Sequence, residues 1–133
     1  EQVLADTEED YKVLVCSHVP PLAKIHYWSD EIRGSERLFS ILRVFHKEGR
    51  ILAYIHGHNH ADMIFWEEKF PIISIGCAKC ECFYDKKPEG SHTPERKLHT
   101  LSQELWDVMV ISAKERTIDL IRYGAGENRN LTV

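Results

Sequence analysis

Cysteine is sparse in this chain of 133 residues: Cys16, Cys77, Cys80 and Cys82, three of them crowded into "CAKCEC". That clustering excludes a secreted disulfide scaffold and leaves a reducing, cytoplasmic compartment as the default expectation. No apolar run approaches the roughly 20 residues of a membrane-spanning helix. No block of one charge sign exists either. The formal net charge is −4 and the basic residues are scattered, so the stripe expected of a nucleic-acid binder is missing. Repeats and low-complexity tracts are absent. What remains, 43% hydrophobic and 29% charged residues, is the composition of an ordinary globular domain.

The elements follow from periodicity. "EQVLADTEED" reads as the tail of a helix and carries no initiating methionine, so the chain is expected to be part of a larger protein. "YKVLVCS" is a continuous apolar and β-branched run, the pattern of a strand covered on both faces, with Cys16 in its core. His18 ends it, and Pro20 and Pro21 block continuation. After a connection over residues 21–34, Ser35 is placed as the N-cap of a helix. Leu38, Ile41, Leu42 and Phe45 form its apolar stripe, and Gly49 is its stop. "RILAYIH" is a second strand, and strand–helix–strand predicts a right-handed crossover between parallel neighbours. "MIFWEEKFPIISIGC" reads as two short strands around a polar turn. "FYDKKPEGSHTPERKLHT" is a loop and "LWDVMVISAKERTIDLIRYG" a hairpin turning near Lys114 and Glu115. "GAGENRN" reads as a flexible tail. The class is mixed α/β.

Chemistry concentrates where the two parallel strands end. His18 follows the first, and "IHGHNH" places His56, His58 and His60 at the end of the second. Ligands of open α/β sheets sit beyond the carboxyl ends of their strands, and neutral imidazole is a common metal ligand. His18, His58 and His60 are therefore expected metal ligands. Gly57 is expected to provide the tight turn, Asn59 to serve it, and His56 to hydrogen-bond within the core. His26, Tyr27 and Trp28 lie in the connection after His18, placed to contact a substrate or to cover the sheet. Lys86, Lys87 and Arg96 in the long loop are candidates for phosphate contact. Cys77, Cys80 and Cys82 form one cluster without the second pair that a closed zinc site requires.

"VLVCSHVPP" followed by "YIHGHNH" resembles the last two motifs of the calcineurin-like metallophosphoesterases. The resemblance covers the order of elements along the whole chain. It implies a four-layer α/β/β/α sandwich and hydrolysis of phosphate mono- or diesters by a hydroxide activated between two divalent cations, manganese, iron or zinc. By the family pattern, His18 and His58 would bind one cation and His60 the other. The family's earlier motifs are an Asp-x-His, a Gly-Asp-x-x-Asp and a Gly-Asn-His, and none occurs here. Residues 1–133 are thus expected to be the C-terminal portion of one such domain. That portion would lack the bridging carboxylate and the general-acid histidine, and would be inactive alone. Its apolar sheet surface would await the missing N-terminal half or a second copy. Two alternatives use the same residues: a zinc-binding interaction module, and a histidine-triad nucleotide hydrolase built on His56, His58 and His60.

Overall fold

The computed structural model describes residues 1–28, 31–78 and 88–133. Its elements are α1 (Gln2–Asp6), β1 (Val13–Ser17), α2 (Ser35–Lys47), β2 (Ile51–His56), β3 (Met63–Glu67), β4 (Phe70–Ser74), β5 (Leu105–Ser112), β6 (Thr117–Gly124) and β7 (Arg129–Thr132). They form two sheets, one ordered β1-β2-β4-β3 and the other β5-β6-β7. β1, β2 and β4 run parallel, β3 joins β4 as an antiparallel hairpin, and the second sheet is antiparallel throughout. The chain is therefore mixed α/β, with the expected β1–α2–β2 crossover.

Two cores flank the first sheet. On one side Phe39 and Leu42 of α2 pack with Ile51, Tyr54, Phe70 and Ile72. On the other, Ala53, Ile55 and Ile73 meet Ile118, Leu120 and Leu131 of the second sheet. Helix, sheet and sheet thus stack as three layers. β2 and β4 lie in the middle, and every residue of both strands is buried. In β2 the register skips Leu52, so Ile51 faces the helix side together with Tyr54.

Several expectations change on contact with the fold. β1 is an edge strand, so only β2 and β4 show the double coverage; Cys16 and Ser17 are exposed rather than core. α2 is entered through Gly34 at φ 74°, and Ser35 is its first residue, buried and without a capping bond. The buried helix positions are Ser35, Phe39 and Leu42, while Leu38 is 40% exposed. Leu42 and Phe45 face the core as the sequence reading expects, but Phe39 takes the inward place given to Leu38 and stacks on Phe70 at 5.7 Å. Gly49 does end the helix, at φ 73°. The supposed tail is instead β7, paired with β6 from Leu120↔Arg129 to Thr117↔Thr132.

The outer face of the second sheet carries Trp106, Val108, Val110, Ile121 and Tyr123, each between 45% and 48% exposed. Trp106 pairs with Tyr123 across the strands and stacks on it at 4.9 Å. Nothing among the described residues covers this face.

The helix register can be checked directly by urea denaturation. Phe39→Ala is expected to cost about 3–5 kcal/mol of stability, and Leu38→Ala no more than about 0.5 kcal/mol. The reverse order would restore the stripe read from the sequence.

Candidate metal centre

β1 and β2 lie side by side, with Ser17 opposite His56. The next residue of one chain segment is His18, and the next of the other begins the turn from Gly57 to His60. Two histidines separated by 40 positions meet there. His18 Nε2 lies 3.1 Å from His58 Nδ1, with the rings edge-on at 5.0 Å. His26 stacks on His58 at 4.7 Å. The 3.1 Å separation suits a hydrogen bond between neutral imidazoles. It also suits two ligands of one cation, because nitrogens about 2.0–2.1 Å from a zinc-like ion sit roughly 3 Å apart.

The turn between these histidines is strained, and not where the glycine suggested. Gly57 is outside the left-handed region; His58 and His60 occupy it instead, at φ 61° and 60°. The Asn59 amide bonds back to Gly57 O at 2.6 Å, closing a three-residue turn around His58. Left-handed backbone at a β-carbon-bearing residue costs on the order of 1–3 kcal/mol and persists only where neighbours enforce it.

Two tethers do so. Asn59 is 2% exposed; its Nδ2 donates to Ile25 O at 2.6 Å and its Oδ1 accepts from the Tyr27 amide at 3.4 Å. Trp28 Nε1 donates to His58 O at 2.9 Å. On the other flank Asp62, 1% exposed, receives Arg122 at 2.7 Å and Arg129 at 2.6 Å. Both arginines also reach Asp107. Burial works against the Arg122 charge, but the bonds to Asp107 and Asp62 outweigh it and hold the guanidinium above its usual range. This network joins the histidine turn to the second sheet.

His56 behaves as a core residue. Its Nδ1 donates to Gly57 O at 2.9 Å. Burial above all, with the neighbouring imidazoles His58, His26 and His18, pushes its pKa down to about 4, and the Gly57 bond only partly opposes this. His58 is also lowered, by desolvation and then by His26, His18 and His60. His56 and His58 therefore favour the neutral form, the one that binds cations. His60 Nδ1 is buried with no hydrogen-bond partner among the described residues, and its ring lies 6.0 Å from Trp28. A buried, unsatisfied nitrogen is a destabilising feature unless a ligand takes it up.

The structure thus joins His18 to His58 and keeps His60 on the same turn. Among the described residues, no group of three or more histidine, cysteine, aspartate or glutamate side chains is gathered to hold a metal ion. The three-histidine strand of a histidine-triad hydrolase is not formed, since β2 ends at His56. Arg96 does not reach towards the histidines; its guanidinium donates to the carbonyls of Cys77, Ala78 and Gln103 and closes the base of the long loop. Cys77 is a free thiol, while Cys80, Cys82, Lys86 and Lys87 lie outside the described residues. Sequence reasoning missed Asp62, Asp107, Arg122 and Arg129. The available signal was charge at inward positions of an otherwise alternating hairpin. No model of a known protein family matches the chain, and no curated protein matches it either.

Truncation of the buried acid should be far costlier than loss of a surface one. Asp62→Ala is expected to lower unfolding free energy by about 3–5 kcal/mol, because two buried guanidinium groups lose their partner. Glu67→Ala, which removes the exposed Lys24–Glu67 pair at 2.5 Å, should cost no more than about 1 kcal/mol. Equal losses in a denaturant titration would show that the network does not hold the turn.

Proposed function

We propose that this chain supplies the histidine-bearing, C-terminal portion of a binuclear metallophosphoesterase of the calcineurin-like class. The observation that carries the reading is the 3.1 Å approach of His18 and His58 beyond the ends of two adjacent parallel strands. The buried, unpartnered Nδ1 of His60 on the same turn supports it. The helix–sheet–sheet stack is what three layers of an α/β/β/α sandwich would look like.

On this reading His18 and His58 hold one divalent cation and His60 contributes to a second. When bound, such a pair supplies an activated water for attack on phosphorus and neutralises the phosphoryl oxygens. The chain's own residues prepare the ligands. His56 donates to Gly57 O and braces the start of the turn. Asn59 anchors its middle to Ile25 and Tyr27, and Asp62 anchors its end to Arg122 and Arg129. Asp62 is the acid nearest the histidines in sequence, and both its oxygens are engaged by those arginines. Asp62 is thus not available to bridge two cations, and on this reading the bridging carboxylates and the general acid are supplied by other parts of the domain. The exposed apolar face of the second sheet fits a chain that is completed by further protein.

Zinc or manganese titration of the purified chain tests this. Weak uptake is expected, lowered at least about tenfold in His58→Ala, with no hydrolysis of 4-nitrophenyl phosphate. Turnover that survives His58→Ala would sink the assignment. Tight stoichiometric zinc that persists in His58→Ala and is required for folding would transfer it to a zinc-binding module.

A further inference from the structure

The histidine turn lies at one end of the first sheet, and a second cluster of charge lies at the other. β4 runs from Phe70, next to the β3–β4 turn, to Ser74, which pairs with His56. At the Phe70 end, the last turns of α2 face that turn across a groove of about 380 Å³, lined in part by Arg43, His46, Lys47, Glu68 and Lys69. We propose that this groove binds a small organic anion, a carboxylate carried on a compact apolar body. The inference does not depend on the metal reading.

Positive charge exceeds negative charge here. Arg43 Nη2 donates to Glu68 at 2.9 Å, and Lys47 Nζ lies 3.5 Å from the same carboxylate, so one acid serves two cations. The groove's other acid, Glu67, pairs with Lys24 at 2.5 Å. Lys69 is exposed and has no ion-pair partner among the described residues. Part of the surplus answers the C-terminal end of α2, whose carbonyls favour cations such as Lys47. Lys69 sits on the hairpin, so the helix does not account for it. A concave surface with unmatched cations recruits a counter-anion.

The walls select what carries that anion. The His46 ring packs on Phe70 at 4.7 Å and its Nδ1 donates to Ile51 O at 2.9 Å, which fixes a ring on the inner side of the groove. The methylene stems of Arg43 and Lys47 add apolar surface beneath charged ends that remain partly exposed. The volume is that of a small-molecule site. Glu68 occupies left-handed backbone, at φ 57°, in a two-residue turn where glycine or asparagine is usual. Its bond with Arg43 ties the turn to the helix across 25 positions, so the two sides of the groove are joined before any ligand arrives.

The test uses the purified chain in EDTA, which keeps the histidine turn free of metal, and ligand-observed NMR with benzoate, inorganic phosphate and benzylammonium. Benzoate is expected to bind about tenfold more tightly than benzylammonium and more tightly than phosphate, with an affinity that falls as salt is added. Lys69→Gln should weaken benzoate about threefold to fivefold and Glu68→Gln should strengthen it, whereas Lys114→Gln, on the distant β5–β6 turn, should leave it unchanged. All three side chains are exposed, so folding is preserved. Equal affinities for benzoate and benzylammonium, or equal losses in Lys69→Gln and Lys114→Gln, overturn the site. Phosphate binding more tightly than benzoate overturns the ligand class.

Discussion

A single buried carboxylate couples the two sheets at the end of the molecule that carries the histidine turn. Asp62 lies two residues beyond His60 and is 1% exposed, yet it carries charge into the interior. Such a group is tolerated only with full compensation, because its desolvation costs several kcal/mol. Arg122 from β6 and Arg129 from β7 provide that compensation, and Asp107 from β5 balances the second positive charge. Every strand of the second sheet thus contributes to the anchor of one turn. The hydrophobic contact between the sheets supplies most of the adhesion, but it is non-directional. The ion pairs have directions, and they set where the turn ends.

The conformation of that turn follows from being held at both ends. His58 and His60 sit in left-handed backbone that neither would choose alone. Asn59 between them points inward to a carbonyl and an amide of the preceding connection. The alternation of the sequence, histidine–asparagine–histidine, therefore becomes two ring-bearing positions flanking one structural peg. Strain concentrated at the two candidate ligands fits a site shaped for something other than the stability of this chain.

Charge and burial also explain how the imidazoles coexist. His18, His26, His56 and His58 are mutual neighbours, and four cations in that space would repel strongly. Desolvation and mutual repulsion favour the neutral form at His56 and His58. A 3.1 Å nitrogen pair beside a buried nitrogen that has no partner among the described residues is chemically suited to cation binding, which is why the metal proposal is favoured over a purely structural role.

Much of the fold was legible in the sequence. Proline, glycine and β-branched runs are local signals, and the β1–α2–β2 crossover and both hairpins were read from them. So was the convergence of His18 and His58, because parallel neighbours bring their ends to one edge. What failed needed information from distant parts of the chain. Cys16 was read as core because its strand is apolar, but an edge strand has only one neighbour. Leu38 and Phe39 are both apolar, and only the position of Phe70 decides which faces inward. "ENRN" looked like a polar tail until β6 offered it a partner edge. Asp62, Asp107, Arg122 and Arg129 were passed over; alternation in the hairpin put Asp107 and Arg122 at inward positions, but their partners lie 15 to 67 residues away and only folding brings them together. The sequence by itself determined most of the elements and the meeting of His18 and His58 at one edge. Tertiary structure decided burial, pairing and the strained turn, because those depend on groups that meet only when the chain has closed.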